Sequence, residues 1–270
     1  MKVAILGTGK MGGALGLGLV KAGVVGLNNL IGCNSSERGR LYFQSLFHSE
    51  PVVTCADLKD WLPYLDVIII SIKPQQMKVG IASLQGYRPE TLFISVAAGL
   101  RTTQLEALLG GSPRVIRAMP NTPCLVREGV SAYCAGQYAK PEDLQVAEQF
   151  LGSVGAVCAV PEEQMNIVTS LSGCGPAYAF HFLNGLIDGA VKLGLSPELA
   201  RVLAVQTVRG AMGLMAQSSL SPIELATQVK SPGGVTIAGC AVLEEAQVER
   251  TLHEVIAAAK KRADELAADS

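Results

Sequence analysis

The chain has 270 residues, 49% hydrophobic and 17% charged, with a formal net charge of −1, a sequence pI near 6.3 and a mean hydropathy of +0.34. That supplies core for one large domain or two smaller ones, and the near-neutral charge excludes the broad basic field of a nucleic-acid binder. No apolar run approaches the roughly 20 residues of a membrane span, so the apolar surplus reads as buried parallel strands and a hydrophobic subunit interface.

The first element is an apolar strand, Val3–Leu6, running directly into Gly7-Thr8-Gly9-Lys10-Met11-Gly12 and an apolar helix. Strand, Gly-x-Gly-x-x-Gly turn and helix together are the context of a dinucleotide site. Gly7 permits the tight turn, Gly9 lets the backbone approach a pyrophosphate and Gly12 lets helix and strand pack closely. Free N–H groups and the dipole at the helix start hold phosphates. Further strands are expected at Leu30–Cys33, Val52–Val53, Val67–Ile72, Leu92–Val96, Val115–Met119, Val130–Cys134 and Val157–Val160, with helices between several of them, such as Thr102–Leu109 and Pro141–Leu151. Such alternation implies a doubly wound, mostly parallel sheet over residues 1–160.

The second strand ends at Cys33-Asn34-Ser35-Ser36, followed by Arg38 and Arg40. An NAD site usually carries an acidic residue here for the ribose 2′-hydroxyl. Small hydroxyl and amide groups beside guanidinium suit a 2′-phosphate instead, which points to NADPH, with NADH as the alternative. Three more loops follow strands: Ser71-Ile72-Lys73-Pro74-Gln75, Val96-Ala97-Ala98-Gly99 and Met119-Pro120-Asn121-Thr122-Pro123. Ligands of open α/β sheets bind beyond the carboxyl ends of strands, so these loops should surround the cofactor. Lys73 is placed to reach a ribose or phosphate; a surface lysine is the plain alternative.

From Gln164 strand signals vanish and helical periodicity dominates. Helices are expected at Glu163–Leu171, Pro176–Leu193, Pro197–Gln217, Pro222–Val229 and Thr236–Ala268, the last broken once. Residues 161–270 thus read as an all-helical domain. Gly185, Gly189, Gly210 and Gly213 lie inside these helices, each at a cost of up to about 1 kcal/mol relative to Ala, which suggests close helix–helix approach. This half is too apolar to stand alone, and a homodimer would bury it. In Leu171-Ser172-Gly173-Cys174-Gly175-Pro176-Ala177-Tyr178 the glycines should break the chain before Pro176 starts a helix. Ser231-Pro232-Gly233-Gly234-Val235-Thr236 also runs into a helix, whose free N–H groups would hold a substrate carboxylate; a tight turn N-capped by Thr236 is the alternative.

Seven cysteines (33, 55, 124, 134, 158, 174, 240) are dispersed without a CxxC pair. They read as reduced thiols in a reducing compartment, and with only three histidines no metal site is expected. With a strand beginning at residue 3, no leader is expected and the location reads as cytoplasmic. His48, His181 and His253 lie outside every Gly-rich loop. Carbonyl reduction needs a placed proton donor, whereas a protonated imine takes hydride without one, so a site of backbone amides and one hydroxyl suits imine reduction.

Together, Gly7–Gly12, Ile72–Gln75, Ser95–Gly99, Arg117–Pro123, Leu171–Tyr178 and Ser231–Thr236 resemble the pyrroline-5-carboxylate reductase family over nearly the whole chain. The resemblance implies a Rossmann-type N-terminal domain and an all-helical C-terminal domain that interlocks with a second subunit, and a larger homo-oligomer built of such dimers. It also implies hydride transfer from NADPH or NADH to 1-pyrroline-5-carboxylate, giving L-proline. By the resemblance, Leu6 to Gly12 hold the pyrophosphate; Asn34, Ser35 and Arg38 face the 2′-phosphate or ribose; Ser71 to Pro74, Val96 to Ala98 and Asn121 line the cofactor. Ser231, Gly233, Gly234 and Val235 hold the substrate carboxylate, the Thr236 hydroxyl faces the ring nitrogen as the catalytic group, and Glu162 lies near the substrate. Where the family often has Ser, this chain has Cys174; where it has Thr or Ala, this chain has Val235.

A reductase of another cyclic imine or of a hydroxy acid would share the architecture. The hydroxy-acid enzymes usually add a helical-domain lysine, and only Lys192 and Lys230 are near. A non-catalytic dinucleotide sensor would keep Gly7–Gly12 but have no need of Ser231–Thr236.

Overall fold

The computed structural model describes residues 1–47 and 52–268; His48 lies outside them. The first half builds one eight-stranded sheet: β1 (Val3–Leu6), β2 (Leu30–Cys33), β3 (Val53–Cys55), β4 (Val67–Ile70), β5 (Leu92–Ser95), β6 (Arg114–Pro120), β7 (Gly129–Ala135) and β8 (Gly155–Ala159). Between them run α1 (Lys10–Lys21), α2 (Glu37–Ser45), α3 (Met77–Ala82), α4 (Thr102–Leu109) and α5 (Pro141–Gly152). The strand order is β3-β2-β1-β4-β5-β6-β7-β8, and every pairing is parallel except β6 with β7.

β1, β2, β4 and β5 are buried along their whole length. Covered on both faces, they need continuous apolar runs rather than alternation. Side chains still alternate between faces: Val3 and Ile5 join Leu15, Leu19, Phe43 and Phe150 on one side, while Ala4 and Leu6 join Ile31, Ile70, Phe93 and Leu105 on the other. Each fully buried Leu, Ile or Phe contributes about 1.5–3 kcal/mol. The register sets Leu6 beside Cys33 and Ile70, so the carboxyl ends of β2, β1 and β4 finish level. Strand order reverses between β1 and β4, where ligands of such sheets bind.

The described chain divides into two compact units, Met1–Cys174 with the chain from Ala259, and Gly175–Ala258. The first therefore extends past the last strand. Met165 is buried against Ala132 and Cys134 of β7, which fixes α6 (Met165–Val168) to the sheet.

The segment expected to break at Leu171–Tyr178 is interrupted only by a turn at Cys174. α6 passes into a π turn over Thr169–Gly173, and α7 (Gly175–Lys192) begins after Cys174. The hydroxyls of Thr169 and Ser172 donate to the carbonyls of Met165 and Val168 at 2.8 and 3.0 Å, and such back-bonding competes with the helix ladder. Pro176 has no N–H, so it gives the Ser172 carbonyl no helical donor. The Asn121 Nδ2 fills that role at 3.1 Å.

In the second unit α7 packs on α8 (Pro197–Gln217), followed by α9 (Pro222–Gln228) and α10 (Val235–Glu245); α11 spans Val248–Ala268. The expected break in the last helix falls between α10 and α11, where Gln247 takes φ 50°. α7 and α10 bury no residue and α8 buries only Ala200. A Cβ added at Gly185, Gly189, Gly210 or Gly213 would meet nothing within 4 Å. The close helix approach these glycines suggested is therefore absent within a single described chain.

Candidate active site

A cavity of about 730 Å³ opens beyond the carboxyl ends of β1, β2 and β4. Its floor is the Gly-rich turn. Gly7 sits at φ +99° with its N–H donating to the Cys33 carbonyl at 2.9 Å. α1 begins at N-cap Gly9 with no side-chain cap and no acidic residue in its first turn, so its leading N–H groups are available to an anion. A Cβ on Gly12 would stand 2.1 Å from the Gly7 carbonyl oxygen, which is the close helix–strand packing that the third glycine was expected to serve.

Of the residues expected at the cofactor, Leu6, Gly7, Gly9, Lys10, Met11, Asn34, Ser35, Ser71, Ile72 and Lys73 line this cavity. Thr8, Gly12, Arg38, Pro74, Val96, Ala97, Ala98 and Asn121 do not. Thr8 is buried and donates its hydroxyl to the Gly39 carbonyl at 2.9 Å, tying the turn to α2. Asn121 is engaged within the fold: besides its bond to Ser172, its Oδ1 accepts from Val130 N–H at 3.0 Å.

The rim beside β2 is built locally. Asn34 Oδ1 accepts from the N–H and hydroxyl of Ser36 at 3.0 and 2.9 Å, and Ser36 caps α2 through Gly39 N–H at 3.2 Å. Arg40 reaches back to the carbonyls of Asn34 and Ser35 at 2.7 and 3.1 Å, bracing the loop while adding positive charge beside it. The Arg38 side chain, by contrast, makes no hydrogen bond or ion pair among the described residues. Gln75, from the loop expected to surround the cofactor, also lines the cavity, as do Ala56, Asp57, Gln76, Val79, Gly80 and Ser83, which the sequence reading does not single out. Ala56 and Asp57 follow the end of β3, and the same rule that selected the other strand ends would have found them.

Glu162 has both carboxylate oxygens engaged. Oε1 accepts from Thr102 N–H at 2.8 Å and from Arg117 at 3.1 Å, and Oε2 from the Thr102 hydroxyl at 2.7 Å. Burial alone would raise its pKa, but the Thr102 and Arg117 bonds outweigh it and hold the carboxyl below its ordinary value. It thus clasps the start of α4 to β6.

The second unit presents the other Gly-rich loop. Gly233 takes φ +71°, and Gly234 donates its N–H to the Ser231 carbonyl at 2.9 Å. Gly234, not Thr236, is the N-cap of α10, and no side chain caps it. The first N–H groups of α10 are therefore left for an outside acceptor, and Thr236 stands exposed in the first turn.

Residues 162–266 match the family model described as pyrroline-5-carboxylate reductase dimerisation, and residues 2–99 match the one described as NADP oxidoreductase, coenzyme F420-dependent. The pyrroline-5-carboxylate reductase of Arabidopsis thaliana is 37% identical over 266 residues, covering 98% of this chain and 95% of the relative. That of Methanosarcina acetivorans is 36% identical, over 98% and 97%. Among solved structures, the Plasmodium falciparum pyrroline carboxylate reductase with NADP bound superposes with a TM-score of 0.88 at 30% identity, covering 99% of this chain and 98% of that one. The Coxiella burnetii pyrroline-5-carboxylate reductase gives 0.89 at 32% identity, with 98% of each chain covered. With a Gly-rich cofactor cavity at the sheet's switch point and full-length relatives at this identity, the chain belongs to the pyrroline-5-carboxylate reductase family.

Proposed function

We propose that the protein reduces 1-pyrroline-5-carboxylate to L-proline with NADPH. The observation that carries this is that each unit holds an uncapped helix N-terminus in a Gly-rich loop: α1 at the cofactor cavity and α10 in the helical unit. The first suits a pyrophosphate and the second a carboxylate.

NADPH fits the residues present. The N–H groups at the start of α1 hold the pyrophosphate, and Asn34, Ser35 and Lys73 approach the ribose and phosphate end, with Arg38 at the rim for the 2′-phosphate. When bound, the reduced nicotinamide supplies hydride to the C=N carbon. Val96, Ala97 and Ala98, just past the end of β5, would flank the nicotinamide beyond the lined cavity, their small side chains leaving room for it. Ser231, Gly233, Gly234 and Val235 anchor the substrate carboxylate through backbone N–H groups, and the Thr236 hydroxyl orients the ring nitrogen. A protonated imine needs no separate acid, which accords with the absence of a histidine from these loops. Glu162 and Asn121 act from behind, holding the strand ends from which the loops spring.

A second copy of the chain covers the apolar helices. Phe180 is 66%, Leu193 91% and Val235 91% exposed in one chain, more apolar surface than a lone unit keeps in water. The seven free thiols accord with the reducing cytoplasm.

Replacing Thr236 with Ala tests the catalytic assignment. The variant should lose turnover at least tenfold while binding NADPH as before; undiminished turnover would remove Thr236 from the mechanism.

A further inference from the structure

The end of β2 and the end of β3 place two cysteines side by side. Cys33 and Cys55 are in-register partners on neighbouring parallel strands, so their side chains leave the same face of the sheet. Cys33 lines the cofactor cavity. The next residue, Asn34, donates its N–H to the Cys55 carbonyl at 3.1 Å. We propose that Cys33 and Cys55 are a redox-modification site, closed to a disulfide by peroxide, and that closure weakens cofactor binding at the adenosine end of the cavity.

Neighbouring parallel strands lie about 4.8 Å apart, within the Cα separation a disulfide spans. Cys33 is pushed above the ordinary thiol range, first by its Cys55 neighbour and then by burial, while the Cys33 neighbour draws Cys55 down against its own burial. The Cys55 thiol donates to the Gly32 carbonyl at 4.0 Å, and Cys55 is the less buried of the two, so it is the sulfur that peroxide reaches first. The Cys55 thiolate attacks hydrogen peroxide, breaking the O–O bond to give the sulfenic acid and hydroxide. The Cys33 thiol then displaces the sulfenic oxygen as water. In sum, two thiols lose two hydrogens and one peroxide yields two waters.

Bonding draws the sulfurs to about 2.05 Å. β3 is the edge strand of the sheet and only three residues long, so it is the strand that yields. Its motion carries the Cys55 carbonyl, to which Asn34 is bonded, and with it the rim expected to hold the 2′-phosphate.

The effect rests on the cofactor reading above; the cross-link does not. The test treats the reduced full-length protein with hydrogen peroxide, blocks free thiols by alkylation and maps the peptides. The same samples are titrated with NADPH by fluorescence. The expected result is a Cys33–Cys55 cross-linked peptide pair and a roughly tenfold rise in NADPH Kd, about 1.4 kcal/mol, reversed by dithiothreitol. Cys55→Ser and Cys55→Ala, which keep the backbone bond to Asn34, should bind NADPH like the reduced protein and ignore peroxide. Cys33 and Cys55 both remaining alkylatable after other cysteines have been oxidised would overturn the proposal, as would a cross-linked protein with unchanged Kd. Failure of the reduced protein to bind NADPH would instead refute the cofactor reading, while the peptide map would still decide the cross-link.

Discussion

Gly9 and Gly12 lie three residues apart in the same turn, yet they should fail in opposite ways when replaced by Ala. At Gly12 an added Cβ falls 2.1 Å from the Gly7 carbonyl oxygen and 2.9 Å from Ile5 Cγ2. The first obstacle is backbone, more than an ångström inside ordinary contact, so α1 must move off β1. Overpacking of this kind costs about 1–3 kcal/mol, which for a chain of this size lowers Tm by roughly 2–12 °C. At Gly9 an added Cβ meets nothing within 4 Å, and its φ of −76° is open to any residue. Gly9→Ala should therefore keep the wild-type Tm within about 2 °C and lose NADPH affinity at least tenfold, because the methyl occupies the approach of the pyrophosphate. Differential scanning calorimetry and titration calorimetry read the two quantities separately. A Gly12→Ala variant as stable as wild type, or a Gly9→Ala variant with undiminished affinity, would refute the division of labour between the glycines.

Arg40→Met removes the two bonds to the Asn34 and Ser35 carbonyls; at about 1 kcal/mol net the NADPH KM should rise roughly fivefold with kcat unchanged in steady-state assays. Glu162→Gln leaves Arg117 buried with one partner weakened and should cost about 3 kcal/mol in urea unfolding near neutral pH. Because the Glu162 carboxyl is held below its ordinary 4.5, its contribution is complete above that pH and fades as acid protonates the folded form, so the variant should lose less stability than wild type below pH 4.5. The Tyr133 phenol is pushed up to about 12, first by burial and then by its bond to Glu148. The stability this confers is present below pH 10 and lost as pH climbs toward 12, and Tyr133→Phe should remove the last component of the alkaline tyrosinate titration. Phe180→Asp places charge on the exposed face of α7 and should shift the protein to monomer by light scattering.

The central sheet is readable because β1, β2, β4 and β5 are short apolar runs, the pattern that burial on both faces demands. The turn Gly7–Gly12 was readable because its strand and helix are contiguous with it. What escaped depends on partners remote in sequence. Asn121 stands after β6, where strand-end logic expects the cofactor, and the sequence does not reveal that its amide also serves Ser172, 51 residues on. Nor does it reveal that the Glu162 carboxylate serves Thr102, 60 residues back. Gly173, Gly175 and Pro176 predict a break by propensity; the Asn121 donor that serves the Ser172 carbonyl at the π turn is remote in sequence. Ser231–Thr236 was legible as a loop-to-helix turn, while its cap at Gly234 rather than Thr236 followed from backbone geometry that composition does not encode.

The most direct test of the account is proline formation. Purified protein supplied with 1-pyrroline-5-carboxylate and NADPH should oxidise the cofactor saturably and yield one L-proline for each NADPH consumed, with NADH less effective at equal concentration. NADPH binding without any substrate-dependent oxidation would contradict the account and leave a dinucleotide-binding protein with another substrate or none.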